Sequence, residues 1–240
     1  MIKQKKLSIL SLKTFILFIL TFFLIILYFY FSFFFEINNV SKAYITNQGD
    51  NTVSIIDLET LKTLKTLKVG VAPLGITILQ EKKLVFVGNV GTDDISVIDA
   101  VNDTLIKTIK LGTAPLSLAS NSEETKVYVT DWFQNNVLTI SADEMKVTRR
   151  LKVGVTPSGI AYNKKYKYQV ITNRDANTLE IYNEHDDLVK KIETGNHPFG
   201  VYSEGDFAYV ANVYDDSVSI INLVDWSKYE FMVGAHPYNV

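Results

Sequence analysis

Residues 127–159 read VYVTDWFQNNVLTISADEMKVTRRLKVGVTPSG, and this stretch decides the fold because its parts recur in the same order along the chain. It opens on an apolar, β-branched run (Val127–Asp131) and crosses a polar turn into a second run (Asn136–Ser141). A third run leads to Gly154, and three residues later Pro157 starts a fourth. Short segments rich in Val, Ile, Tyr and Thr, bounded by Asn, Asp and Gly, read as strands joined by tight turns.

Four further copies flank this one. The first motif recurs as AYITN (Ala43–Asn47), VFVGN (Val85–Asn89), QVITN (Gln169–Asn173) and AYVAN (Ala208–Asn212). The second recurs as TVSIIDL (Thr52–Leu58), ISVID (Ile95–Asp99), TLEIYN (Thr178–Asn183) and SVSIIN (Ser217–Asn222). The chain holds five prolines, Pro73, Pro115, Pro157, Pro198 and Pro237, at spacings of 42, 42, 41 and 39 residues. Each follows a glycine by three positions (Gly70, Gly112, Gly154, Gly195 and Gly234), so every proline marks one place of one repeat. Four strands in about 41 residues is the period of a propeller blade. Many strands are apolar at successive positions, which suits sheets buried on both faces.

The order VYVTN, turn, VSVID, turn, VxxTIxVG, xxPxG resembles the YVTN-type β-propeller repeat, over Ala43 to Val240. The resemblance implies a propeller and no particular activity, because propellers host unrelated functions. It also implies that the strand after each proline is the innermost of its blade. That strand is A, with B, C and D lying successively outward. The chain then starts with B, C and D of one blade, runs through four complete blades and ends on a lone A strand, Tyr238–Val240. The expected fold is all-β: a propeller of five four-stranded blades, closed by pairing the C-terminal strand with the N-terminal blade. Closure removes sheet edges that invite aggregation. An open array that completes itself by association is the alternative.

Ahead of the repeats, Thr14 to Phe35 is a run of 22 residues without a charge. About 20 apolar helical residues cross a hydrocarbon core of about 30 Å, so the run predicts one transmembrane signal anchor. Lys3, Lys5, Lys6 and Lys13 precede it and Glu36 follows, which predicts a cytoplasmic N-terminus and an extracytoplasmic propeller. A cleaved signal peptide is the competing reading, but its apolar region is shorter, about 7–15 residues. The loose cleavage site Ser41-Lys42-Ala43 would also cut into the first strand. The expected organisation is a basic N-terminus (1–13), an anchor (14–35), a linker (36–42) and the propeller (43–240). Because antiparallel neighbours reverse direction, D–A and B–C connections share one face, and the short linker places the other face toward the bilayer.

Composition narrows the function. The absence of cysteine excludes disulfides, thiolate metal centres and a cysteine nucleophile. Four of the 24 lysines and arginines precede residue 36, leaving 20 against 26 acidic residues, a net of −6 for residues 36–240. No basic stripe is present for a nucleic-acid partner. No G-x-S-x-G elbow, P-loop or H-E-x-x-H occurs, and no cofactor is called for.

Candidate binding residues lie in the B–C loops: NQGDN (47–51), NVGTDD (89–94), DWFQNN (131–136), NRDAN (173–177) and NVYDD (212–216). Most of their Asn and Asp side chains suit turns, and the ligand series of an EF-hand is missing. Trp132 and Phe133 stand where other copies carry small or polar residues, and exposed apolar patches often mark partner sites. Arg174 and Tyr214, with Asp131 and Asp175, extend this into a mixed polar and aromatic surface. His197 and His236 share the slot before proline in successive repeats, a weak candidate pair for a metal. His185 falls in a C–D turn on the other face. The sequence thus reads as a membrane-anchored binding or scaffolding module with a protein or glycan ligand on the D–A/B–C face. A propeller enzyme or cofactor protein with its site at the channel mouth is the alternative.

Overall fold

The computed structural model describes residues 14–30 and 41–240. The chain divides into two units, residues 1–43 with 57–62, and residues 44–56 with 63–240.

The first unit holds a helix over residues 14–30, in which Thr21 Oγ1 donates back to the carbonyls of Leu17 and Phe18 (3.1 and 2.9 Å). It also holds a turn in which Asp57 accepts from Glu59 N, Thr60 N and Thr60 Oγ1 at 2.8, 3.1 and 2.7 Å. Among the described residues no helix is long and apolar enough to cross a membrane. At 1.5 Å per residue, the 17 residues from 14 to 30 extend about 25 Å, short of a core of about 30 Å. The expected transmembrane anchor over 14–35 is therefore corrected, and with it the single-pass membrane localisation and the orientation toward a bilayer. Residues 1–13, 31–35 and the linker up to residue 40 lie outside the described residues.

From Lys42 onward the chain follows the repeat. Blade 1 consists of β1 (Lys42–Asn47), β2 (Thr52–Asp57) and β3 (Lys62–Lys68). Blade 2 runs β4 (Pro73–Leu79), β5 (Leu84–Asn89), β6 (Asp94–Asp99) and β7 (Thr104–Lys110). Blade 3 runs β8 (Pro115–Ser120), β9 (Lys126–Asp131), β10 (Asn136–Ser141) and β11 (Lys146–Lys152). Blade 4 runs β12 (Pro157–Asn163), β13 (Tyr168–Asn173), β14 (Thr178–Tyr182) and β15 (Leu188–Glu193). Blade 5 runs β16 (Pro198–Glu204), β17 (Phe207–Asn212), β18 (Ser217–Asn222) and β19 (Lys228–Met232). Pro73, Pro115, Pro157 and Pro198 each open an inner strand, a position where the missing N–H costs no ladder bond.

Blades are stitched at the residue before the proline. Ala72, Thr156, His197 and His236 adopt positive φ of 53, 57, 54 and 52°. Their N–H groups donate to Asn51, Asn135, Asn177 and Asp216, the residue just ahead of the preceding blade's C strand, at 2.8–2.9 Å. The carbonyls of Ala72, Thr156 and His197 accept from Val90, Arg174 and Val213 of the next blade at 3.1, 2.9 and 3.1 Å. Positive φ is unfavourable for these residue types, most of all for β-branched Thr156, at a cost of about 1–3 kcal/mol. At Ala72, Thr156 and His197, holding the residue by both its N–H and its carbonyl offsets that strain.

Two other letters of the strand motif have matching roles. Thr46, Thr130 and Thr172 donate their hydroxyls to inner-strand carbonyls of the next blade, Leu74, Ser158 and Phe199, at 3.2, 3.1 and 2.6 Å. Asn173 packs against Gly154, where an added Cβ would lie 2.5 Å from its Cγ.

Four apolar clusters fill the four junctions between successive blades: Tyr44, Val53 and Ile55 against Val85 and Val87; Phe86 and Ile95 against Val127 and Val129; Tyr128 and Val137 against Ile160 and Ile171; Val170 and Leu179 against Ala208 and Val210. In the third, Tyr128 and Tyr162 stack at 5.9 Å, and burial pushes the Tyr128 hydroxyl above its ordinary pKa. A closed ring of five blades requires a fifth junction, and the described residues form no such cluster. Tyr238–Val240 form no strand, and β1–β2–β3 stands as a three-stranded sheet. Five sheets are present as expected, but closure through the C-terminal strand is corrected.

Gly154→Ala is expected to lower stability by about 1–3 kcal/mol through overpacking on Asn173. Gly49→Ala, where a Cβ meets nothing within 4 Å, should stay within about 1 kcal/mol of the parent. Urea unfolding of the two variants checks the difference.

Candidate functional site

The B–C loops and D–A turns meet on one face, and blade 3 departs from the repeat there. At the other complete junctions Gly70, Gly154 and Gly195 lie against the side chains of Asn89, Asn173 and Asn212. Gly112 has φ of +71° with open space around its missing Cβ, and the residue in the asparagine position is Asp131. Buried Asp131 accepts from Thr113 Oγ1, from Phe133 N at 3.2 Å and from Gln134 N at 3.1 Å through a single oxygen, Oδ1. Such a carboxylate fixes the turn that follows it, and Gln134 Nε2 ties the loop to Gly112 O at 3.4 Å. The result is a loop hydrogen-bonded at its base that presents Trp132 and Phe133.

These two rings line a cavity of about 180 Å³ with Val90, Ala114, Leu116 and Phe199. The wall is apolar throughout. Trp132 tilts onto Phe199 at 6.2 Å, and Phe199 meets Tyr238 edge-on at 5.4 Å. Phe133 is 74% exposed, at the cavity mouth.

Beside the cavity lies a polar and aromatic cluster. The Arg174 guanidinium carbon sits 5.6 Å from the Trp132 ring and 5.8 Å from that of Tyr214, within cation–π range of both. Arg174 Nη1 also pairs with Asp175 Oδ1 at 2.7 Å. The other oxygen of Asp175 accepts from Thr156 Oγ1 at 2.7 Å, and His197 Nε2 stands 3.8 Å from Oδ1. The Tyr214 ring packs 4.2 Å from His197 and 6.1 Å from His236. His236 Nδ1 lies 3.1 Å from the Val213 carbonyl.

All eight residues singled out from the sequence therefore lie on this face, in three roles. Trp132 and Phe133 enter the cavity wall. Arg174, Asp175, Tyr214, His197 and His236 form the adjoining cluster, while Asp131 is buried as the turn's anchor. Both histidines pack on Tyr214, and among the described residues no three His, Asp or Glu side chains gather as a metal-binding group. His185 sits apart, 3.8 Å from Glu184. Sequence reasoning missed Val90, Ala114, Leu116 and Phe199. A signal was available, since Leu116 and Phe199 directly follow Pro115 and Pro198 and so start inner strands.

The repeat that builds this face is shared with known proteins. Residues 32–208 match the sequence profile of the YNCE-like β-propellers. The chain belongs to that family. No curated protein matched it. Among solved structures, the YNCE-like chain resembles hydrazine synthase of Kuenenia stuttgartiensis, with a TM-score of 0.74 and 18% identity over 82% of this chain and 66% of the other. It resembles virginiamycin B lyase from Staphylococcus aureus with quinupristin at a TM-score of 0.73 and 15% identity, over 85% and 71% of the two chains. A functionally unknown protein from Desulfotomaculum acetoxidans matches at 0.74 and 15%, over 83% and 68%. At such identities the likeness shows the fold alone. The chain spans about two thirds of the length of these structures.

The YNCE-like propeller's two loop aromatics should separate by stability. Half-buried Trp132, replaced by alanine, is expected to cost about 1–3 kcal/mol, below the loss of a fully buried ring. Phe133→Ala is expected to stay within about 0.5 kcal/mol. Thermal and urea unfolding check the pair.

Proposed function

We propose that this chain is a binding module, built of YVTN-type repeats, that seats an apolar side chain of a protein ligand in the cavity on its D–A/B–C face. The observation that supports this reading is an apolar cavity walled by Trp132, Phe133 and Phe199 and bordered by Arg174. Ligand sites are concave, mostly apolar and edged by a few polar groups, and Trp, Tyr and Arg are the side chains most often decisive at protein interfaces. Filling the cavity with one side chain contributes roughly 1.5–3 kcal/mol, an anchor to which the Arg174, Asp175 and Tyr214 cluster adds orientation. The polar centre on which a metal or enzyme reading would rest, His197 and His236, packs its rings on Tyr214 instead, so the cavity carries the assignment.

The test uses 8-anilinonaphthalene-1-sulfonate, an aromatic anion, on folded full-length protein. A saturable fluorescence component is expected, displaced by N-acetylphenylalaninamide and not by N-acetylglycinamide. It should weaken at least about fivefold in Phe133→Ser and in Phe199→Ala, a loss of about 1 kcal/mol. Dye binding unchanged in both variants, with circular dichroism showing them folded, would reject the assignment.

A further inference from the structure

One position of the repeat supplies two walls of the cavity and the charge beside it. The residue after the Asn or Asp of the strand motif is Val90 in blade 2, Trp132 in blade 3 and Arg174 in blade 4. The first two line the cavity, together with Phe199 of blade 5. Blade 4 packs between blades 3 and 5 and contributes no wall residue. At its place in the series stands a guanidinium.

That guanidinium is held in place with most of its donors unspent. Arg174 N donates to the Thr156 carbonyl at 2.9 Å, which ties the backbone beneath the side chain to the blade stitch. The Trp132 and Tyr214 rings orient the group through its face and use none of its N–H groups. Nη1 is given to Asp175 Oδ1, but the second Asp175 oxygen is taken by Thr156. Asp175 therefore does not close the two-bond pair that arginine makes with a carboxylate. Among the described residues the guanidinium has no other hydrogen-bond partner, and 26% of the side chain remains exposed. The neighbouring acids are engaged elsewhere: Asp215 accepts from Asn196 N and Nδ2 at 2.7 and 3.2 Å, and Asp216 from His236 N at 2.8 Å.

We infer that the residue seated in the cavity is the C-terminal phenylalanine of a protein ligand, with its ring among the apolar walls and its free carboxylate on Arg174. The inference rests on the proposed function above and narrows its ligand to the end of a chain. An apolar cavity of about 150 Å³ holds one benzene, so a space of about 180 Å³ suits a single aromatic ring. The apolar wall offers no partner to a tyrosine hydroxyl or an indole N–H, which favours phenylalanine. A C-terminal residue carries its ring and its carboxylate on one Cα, and the site sets an apolar hole and a guanidinium on either side of the Trp132 ring. The carboxylate accepts two parallel N–H bonds from arginine, whereas a residue within a chain has no such group.

Ligand-observed NMR titration of the full-length protein with acetyl-diglycyl-phenylalanine, as the free acid and as the C-terminal amide, tests this. The acid is expected to bind at least about fivefold more tightly than the amide. That advantage should shrink below about twofold in Arg174→Gln, checked as folded by circular dichroism. Raising the salt concentration should shrink it in wild type as well, which reads the same contact without any variant. Phe199→Ala should weaken both peptides alike and keep their ratio. Equal binding of the two peptides to wild type would overturn the inference and leave the cavity reading standing. So would an acid preference unchanged in Arg174→Gln, or hydrocinnamate binding where the peptide acid does not. If neither peptide binds and the dye component is absent too, the cavity reading falls and this inference with it.

Discussion

Much of the structure depends on one kind of residue, the one before proline at the blade junctions. Proline fixes its own φ and donates no hydrogen bond, so the unit ahead of it is where the chain turns from the outer strand of one blade to the inner strand of the next. At Ala72, Thr156 and His197 its N–H is held by an Asn of the blade behind, and its carbonyl by a backbone N–H of the blade ahead. Because both bonds join loops on one face, each blade's angle to its neighbour is set at the same place where the loops cluster. The strained φ of Thr156 is tolerated because the unit is bonded on both sides.

That arrangement explains why blade 3 carries the site. Elsewhere an asparagine side chain fills the space left by the repeat glycine, which closes the loop base with small groups. Replacing asparagine by Asp131 recruits Thr113 and two loop N–H groups, and the loop above it turns Trp132 and Phe133 toward the inner strands. Leu116 and Phe199, each just past a proline, supply the opposite walls. The cavity is thus assembled from blades 2, 3 and 5, with no two of its walls adjacent in sequence except neighbours in one loop or turn.

Packing between blades supplies most of the apolar burial, and it is pairwise. Each sheet is apolar on two faces, so a blade with one neighbour leaves one face in water. The exposed Ile45 and Phe231 are the same kinds of residue as buried Val129 and Ile109, and only their position in the array distinguishes them.

The blade order, the sequence of strands within each blade and the face shared by the loops were legible in the sequence, because a repeat of glycine, proline and strand motifs imposes its period on a chain that satisfies its own backbone hydrogen bonds. The candidate surface was legible at Trp132, Phe133, Arg174 and Tyr214, where the loops break the repeat. Hydropathy over 14–35 points to a membrane span, yet the described helix covers only 14–30 and is too short. Strand count points to closure, yet pairing Tyr238–Val240 with blade 1 requires the ends of the array to meet, and strand count carries no information about the angle between blades. Sequence by itself determined the repeating unit, since local propensity and turn chemistry act within about 41 residues. Only the tertiary structure decided which distant side chains share a cavity, because that depends on how rotations accumulate from blade to blade.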